Sequence, residues 1–143
     1  MQTATSLINA TGLKRYYGKQ AAVSGVDIQL QRGEILGLLG PNGAGKSTIL
    51  QMLTGTLATH AGNIQINGID LKEQPLQARK QIGYLPENPP LYRDMTIQEY
   101  LKYSAKLHGL SGTKLKTAVD WAIERCDLET MKRRLISNLS KGY

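Results

Sequence analysis

A glycine-rich segment at residues 40–47 constrains the fold of this chain more than any other feature. It follows a short apolar run at residues 34–39 and precedes an apolar pattern with helical spacing that reaches Leu53. A nearly continuous apolar run is typical of a strand covered on both faces. Gly55 follows the helical pattern at the position where a helix would end. The sequence therefore predicts a buried strand, a tight loop and a helix in direct succession.

The loop has the composition of a phosphate-binding site, because it fits the pattern G-x-x-x-x-G-K-[ST]. Its three glycines let backbone N–H groups point inward at an anion, and the N-terminus of the helix adds partial positive charge. Lys46 can bridge the outer phosphates of a nucleotide, the Ser47 hydroxyl can coordinate Mg²⁺, and Thr48 can reach an inner phosphate. An incidental turn with a surface lysine would need none of this spacing. The predicted nucleotide-binding residues are Gly40, Pro41, Asn42, Gly43, Ala44, Gly45, Lys46, Ser47 and Thr48.

The rest of residues 1–91 is dominated by β signals, which we take as a nucleotide-binding core with an antiparallel layer. Residues 6–16 and 26–30 are predicted strands, the second because apolar and polar residues alternate. The dipeptide Asn67-Gly68 between apolar residues predicts a hairpin. A short helix is predicted at residues 75–80, and a further strand at residues 82–85.

Helical signals dominate residues 92–143, which we predict to be a separate helical subdomain. Thr96 and Glu99 have the spacing of a capping box, and the helix that they begin should end near Gly109. A second helix is predicted at residues 113–126. Cys126 belongs to its apolar face and Trp121 lies beside that face, so both are expected to be buried.

Composition argues against a membrane-spanning or secreted protein and bears on the choice of partner. The longest apolar stretch, residues 35–39, is far shorter than the ~20 residues that cross a bilayer, and the N-terminus does not have the pattern of a secretory signal. Residues 71–143 contain 13 basic and 8 acidic side chains. An anionic partner such as nucleic acid stays open, but the charges are interspersed without aromatic residues, which favours a solvated surface.

Other nucleotide-binding classes are less consistent with the sequence. A GTPase would need a downstream Asn-Lys-x-Asp run for guanine, and no such run occurs. A catalytically silent nucleotide-binding module stays open at this point, because a phosphate loop alone does not define a reaction.

Four segments together resemble the ATP-binding cassette (ABC) ATPases: residues 14–18 (KRYYG), the phosphate loop, residues 82–87 (IGYLPE) and residues 138–143 (NLSKGY). The resemblance covers essentially the whole chain. It implies an α/β fold, with a P-loop NTPase core, an N-terminal antiparallel β layer and a following α-helical subdomain. The acidic strand-end motif of the family, with its catalytic carboxylate, does not occur. We therefore expect nucleotide binding with little hydrolysis, and an exposed sheet edge beside residues 34–39.

The resemblance also implies roles for single residues. Tyr17 matches the aromatic residue that stacks on adenine, although packing within the strand is the alternative for either Tyr16 or Tyr17. Glu87 stands where the family usually has a glutamine that contacts Mg²⁺ and the attacking water. Lys46 and Glu87 are thus the implied catalytic residues, with Ser47 and Glu87 at the metal. The implied contacts to ATP held by an opposite subunit are Ser140, Lys141 and Gly142.

At the level of the whole protein, the resemblance implies an ATP-binding, ATP-hydrolysing subunit of a transporter, and the Pro-Glu variant indicates the exporter-type branch. ATP and Mg²⁺ are the implied cofactors. The implied partners are a second ABC ATPase subunit, in a dimer around two ATP molecules, and a membrane-spanning subunit that contacts residues 95–137. The location would be cytoplasmic and peripheral on the cell membrane, with no nucleic acid bound. The alternative is an ABC ATPase that acts on nucleic acid or the ribosome.

Overall fold

A four-stranded antiparallel sheet lies in the first half of the chain in a computed structural model that describes residues 6–140. The spatial order is β2-β1-β3-β4, so the first strand lies inside the sheet and the second lies at an edge. The predicted antiparallel layer is confirmed, and the second strand begins earlier than the alternation of its side chains indicated. The strands are β1 (Ile8–Tyr17), β2 (Gln20–Leu30), β3 (Ala61–Ile66) and β4 (Ile69–Asp70).

The hairpin between β3 and β4 forms at the predicted dipeptide. Asn67 has φ 50° and Gly68 has φ 77°, so both turn residues are left-handed. A two-residue turn of this kind matches the twist of the flanking strands, and asparagine followed by glycine accepts it at low cost. The turn sets the register in which Ile66 pairs with Ile69.

The pairing of β1 with β2 contains an irregularity near the end of the hairpin. Arg15 pairs with Val23, but the next residue, Tyr16, pairs with Ala21. Ala22 is therefore an extra residue in β2, and such a bulge bends a strand and re-aims its backbone groups. The consequence for the phosphate loop is described below.

Two helices complete this part of the chain: α1 (Lys46–Leu53) and α2 (Pro75–Arg79). Both lie where the sequence predicted them. Met52 of α1 and Ala78 of α2 are fully buried, and they join the buried side chains of the sheet in one apolar core. Leu13 of β1 is also fully buried, so β1 contributes to the centre of this core.

The two predicted strands at residues 34–39 and 82–85 are wrong, since neither segment is a strand in the structure. Ile35 is 99% exposed, Leu39 95% and Leu85 82%. A strand requires hydrogen bonds to a neighbouring strand. Within the described part of the chain, the sheet consists of β1 to β4, and no further strand pairs with these two apolar segments.

The chain divides into two units between Leu85 and Pro86, whereas the sequence placed the boundary near Tyr92. The second unit contains α3 (Ile97–Leu107), α4 (Gly112–Arg125) and a 3₁₀ turn (Ile136–Asn138). Its core is formed by Ala105, Val119 and Ile123.

The predicted capping box at the start of α3 is confirmed. The Glu99 amide donates to the Thr96 hydroxyl at 3.3 Å, and the Thr96 amide donates to the Glu99 carboxylate at 2.8 Å. The Glu99 carboxylate accepts from both the amide and the hydroxyl of Thr96, and these two hydrogen bonds lower the pKa of Glu99 because they favour its ionised form.

The predicted burial of Trp121 and Cys126 is wrong. Trp121 is 62% exposed, and Arg125 lies over its ring at 5.9 Å. Val119 and Ile123 supply the buried face of α4. Cys126 is exposed because the helix ends at Arg125, one residue before it, and Asp127 then turns the backbone away with a φ of 53°.

Candidate functional site: the phosphate loop and its supports

The glycine-rich loop at residues 40–47 leads directly into α1, as the sequence predicts, but it does not follow a strand. Gly45 is the N-cap residue with φ 86°, a left-handed conformation that favours glycine. Its carbonyl accepts from the amide of Ile49 at 2.9 Å, which closes the first turn of the helix. Since the first amides of a helix have no acceptor within the helix, those that follow Gly45 are available to an anion.

Gly45 is also confined by β2. A Cβ atom added at this position would lie 2.3 Å from the carbonyl oxygen of Ala22 and 3.3 Å from a methyl group of Val23. Ala22 is the bulged residue of β2, so the bulge places a backbone oxygen directly against the end of the loop. Only a residue without a side chain allows α1 to start this close to the sheet.

The Lys46 side chain folds back across the loop. Its ammonium donates to the carbonyls of Gly40 at 2.8 Å and Pro41 at 2.7 Å. The amide of Ala44 donates to the Pro41 carbonyl at 3.2 Å and closes the turn beneath. Both acceptors of the ammonium are neutral. The ion pair found among residues 6–140 joins Lys132 to Glu129. No carboxylate of these residues therefore neutralises the charge of Lys46.

This donor set fits a chain of phosphates. An unneutralised ammonium, loop amides and a helix N-terminus all favour an anion at one place. Ser47 is exposed and Thr48 is partly buried, both in the first turn of α1. No group of three or more His, Cys, Asp or Glu that could hold a metal is found in the described residues. Magnesium held mainly by phosphates and water, as in nucleotide sites, needs only one or two protein oxygens, and Ser47 fits that role.

The two tyrosines at the end of β1 have different surroundings. The backbone amide of Tyr16 donates to Nδ1 of His60 at 3.2 Å, and the two rings meet edge to face at 5.8 Å. Tyr17 is 52% exposed, and the Arg15 guanidinium lies over its ring at 5.3 Å. Tyr16, which is 40% exposed, therefore contacts His60, whereas Tyr17 keeps somewhat more free surface, with Arg15 over its ring.

The remaining predicted site residues belong to the second unit or lie outside the described residues. Glu87 is exposed in the segment that follows residues 82–85, and Ser140 is exposed after the 3₁₀ turn. Lys141 and Gly142 lie outside the described residues. The predicted residues from Gly40 to Thr48 and Tyr17 all belong to the first unit and are among the described residues.

Two residues that support the site were not found from the sequence. Arg15 had a signal, because residues two apart on a strand share one face, and Arg15 and Tyr17 have that spacing. Ala22 had none, since a bulge at an alanine leaves no mark in the hydrophobic pattern.

The second unit has an aromatic pocket of about 430 Å³, lined by residues of α3 and of the segment at 90–92. Tyr92 contacts the ring of Tyr103 edge to face at 5.3 Å, and Leu107 is 70% exposed. The neighbouring phenol of Tyr92 raises the pKa of the Tyr103 phenol. A pocket of phenol rings and exposed leucine is suited to an amphipathic partner segment.

Comparison with known proteins gives concordant results. The family profile described as "ABC transporter" matches residues 23–143. The chain is 34% identical over 136 residues to the linearmycin resistance ATP-binding protein LnrL of Bacillus subtilis (strain 168), covering 95% of this chain and 44% of that protein. It is 34% identical over 138 residues to the probable multidrug ABC transporter ATP-binding protein YbhF of Escherichia coli (strain K12), covering 96% of this chain and 24% of that protein. The chain thus spans less than half the length of these two curated relatives.

Solved structures show the same likeness. An ATP-binding subunit of an ABC transporter superposes with a TM-score of 0.80 at 33% identity, covering 95% of this chain and 57% of that chain. The cbiO1 protein of Clostridium perfringens, described as part of the ABC transporter complex cbiONQ, superposes with a TM-score of 0.81 at 25% identity, covering 96% of this chain and 57% of that chain. The predicted fold class, the front part of a P-loop NTPase fold, is confirmed. No helix among the described residues is long and apolar enough to cross a membrane.

Proposed function

Because the chain belongs to the ABC transporter family, we propose that it binds ATP on the loop from Gly40 to Thr48 and that the whole protein uses this ATP to power transport. The observation that carries the proposal is the Lys46 ammonium. It lies inside the loop against the carbonyls of Gly40 and Pro41, and no carboxylate of the described residues neutralises it. A phosphate chain entering the loop would supply the missing negative charge, and hydrogen bonds to charged groups are the stronger ones.

The nucleotide is held at two ends in this proposal. Its phosphates bind the loop amides and Lys46, with Mg²⁺ on the Ser47 hydroxyl and Thr48 on an inner phosphate. Its base stacks on Tyr17, whose half-exposed ring supports this assignment. Stacking accepts any base, so the preference for ATP over GTP comes from the family rather than from the ring.

Hydrolysis belongs to the whole protein. Lys46 offsets charge on the transferring phosphate, and Glu87 supplies a hard oxygen ligand to Mg²⁺ and a contact to the attacking water. Activation of the attacking water would require a further carboxylate acting as general base.

The same proposal implies two partners, a second ATPase subunit and a membrane-spanning subunit. Two copies of the cassette would close around two ATP molecules, with Ser140, Lys141 and Gly142 reaching the nucleotide of the opposite subunit. A membrane-spanning subunit would contact the helical unit, where the pocket between Tyr92 and Leu107 offers apolar surface. The protein would then lie on the cytoplasmic face of the membrane.

The direction of transport is proposed to be export. Two relatives are named for resistance to linearmycin and daunorubicin, and another for Nod factor export. These names favour transport over the alternative of an ABC ATPase acting on nucleic acid or the ribosome. Co-fractionation of the whole protein with membranes rather than with nucleic acid is the expected result.

The test of nucleotide binding is a titration of the purified chain with fluorescent ATP and GTP, with and without Mg²⁺. Lys46→Ala should weaken binding about 10- to 100-fold, since one charge-assisted hydrogen bond contributes about 1.5–3 kcal/mol. Lys19→Ala is the matched control, because it removes the same charge from the exposed turn between β1 and β2. Equal affinities of the Lys46→Ala variant and the wild type would contradict the proposal.

A further inference from the structure

We propose that Arg15 is a positioning residue, which holds the ring of Tyr17 in the orientation that stacks on the nucleotide base. The inference rests on the proposed function, because it takes Tyr17 as the base contact. Arg15 would then contribute to the affinity for the base of the nucleotide and not to the affinity for its phosphates.

The first step is the contact between the two side chains. Arg15 and Tyr17 are two residues apart on β1, and the guanidinium carbon lies 5.3 Å from the centre of the ring. A cation within about 6 Å of a ring centre is attracted by the negative face of the ring. The guanidinium is planar, so it can also stack flat on the phenol.

The second step is that Arg15 is itself held in place. Its Nη1 donates to the carbonyl of Ala58 at 2.9 Å. Its Nε is buried and has no hydrogen-bond partner in the described part of the chain. A partly exposed guanidinium with a buried Nε and one anchored Nη has less freedom to rotate than an unanchored one. The anchor Ala58 lies in the connection from α1 to β3, so Arg15 joins the base-binding strand to the segment that follows the phosphate-binding helix.

The third step concerns the state of the Tyr17 ring. With Arg15 on one face, the ring is still 52% exposed, so it retains surface on which a base can stack. Tyr17 is the last residue of β1 and precedes the turn at Gly18, where few neighbours would restrain a side chain. Removing the guanidinium would free the ring, and ordering it again on binding would lower the affinity about two- to tenfold.

A different role for Arg15 would be direct attraction of the phosphates. Its guanidinium is already shared between the Ala58 carbonyl and the Tyr17 ring. If the charge of Arg15 acts on phosphate, its loss should weaken the binding of every phosphate ligand. If the charge acts on the Tyr17 ring, its loss should weaken only the binding of ligands that contain a base.

The experiment is isothermal titration calorimetry of the 143-residue chain with ATP and, separately, with inorganic tripolyphosphate, both with Mg²⁺. Arg15→Met keeps much of the apolar stem and removes the cation, and Tyr17→Ala removes the ring. Lys14→Met is the matched control, because it removes the same charge from the neighbouring position of β1. The double variant Arg15→Met/Tyr17→Ala measures the coupling between the two residues.

The expected result is that Arg15→Met weakens ATP binding about two- to tenfold and leaves tripolyphosphate binding unchanged. Unchanged tripolyphosphate binding also shows that the variant is folded. In the Tyr17→Ala background, Arg15→Met should have no further effect on ATP. Lys14→Met should bind both ligands as the wild type does.

Four results would overturn the inference. Equal weakening of ATP and tripolyphosphate by Arg15→Met would assign Arg15 to the phosphates, and unchanged ATP binding would leave it without a role. If the wild type bound ATP no more tightly than tripolyphosphate, the base would contribute nothing, although the phosphate loop would stand as long as Lys46→Ala weakened the binding of both ligands. A wild type that binds neither ligand would refute the proposed function, and the inference with it.

Discussion

Substitution of Gly45 by alanine tests the account of how the phosphate loop is placed. The new Cβ would lie 2.3 Å from the Ala22 carbonyl oxygen, where real Cβ atoms are essentially never found, and the residue would keep a φ of +86°. The left-handed conformation costs an alanine about 1–2 kcal/mol. Relief of the overlap must shift either the sheet or the helix, because the opposing atom is backbone, and overpacking of this kind costs about 1–3 kcal/mol. The total expected loss is about 2–5 kcal/mol.

Gly43→Ala is the matched control for this prediction. Gly43 has φ +83°, and an added Cβ would meet nothing within 4 Å, so only the conformational cost applies. Urea unfolding of both variants, followed by circular dichroism, measures the difference in unfolding free energy. Gly45→Ala should be less stable than Gly43→Ala by at least about 1 kcal/mol, and it should also bind tripolyphosphate more weakly. Equal stability of the two variants would show that the Ala22 carbonyl does not confine the loop.

Further outcomes concern the second unit. Thr96→Ala should lower the unfolding free energy by about 1 kcal/mol in urea titrations, because it removes the side-chain cap of α3. The lowered pKa of Glu99 predicts the direction in which the stability of the protein changes with pH. Its contribution to stability should be complete above the ordinary value of 4.5 and should be lost as the pH falls through the lower folded value. The stability of Glu99→Gln should therefore depend less on pH below 4.5 than that of the wild type. Trp121→Ala should change stability by less than about 0.5 kcal/mol, and acrylamide should readily quench the fluorescence of Trp121, which is 62% exposed.

Features determined by neighbouring residues could be predicted from the sequence. The turn at Asn67 and Gly68 requires left-handed conformations that these two residues accept, and the cap between Thr96 and Glu99 closes within three residues. The start of α1 belongs to the same class, because the sequence pattern places a glycine, Gly45, at the left-handed position before the helix. In each of these features, the residues that determine the conformation lie within a few positions of one another in the sequence.

Features that depend on distant partners could not be predicted in the same way. Residues 34–39 have the composition of a buried strand, but composition does not supply the neighbour that a strand needs. Trp121 is a similar case, since helical periodicity identifies an apolar stripe without showing how wide the covered part is. Val119 and Ile123 fill the core of the second unit, and Trp121 lies beyond its edge, against Arg125.

The end of the hairpin between β1 and β2 supports both parts of the proposed nucleotide site. Tyr17 ends β1 and pairs with Gln20, while Ala22, two residues further along β2, touches Gly45 at the end of the phosphate loop. The proposed base contact and the proposed phosphate contact therefore both involve this hairpin, in which the bulge at Ala22 shifts the register of the pairing. Deleting Ala22 would restore regular pairing at this point but would turn the strand residues beyond it to the opposite face. The position of the loop relative to Tyr17 therefore depends on the bulge at Ala22.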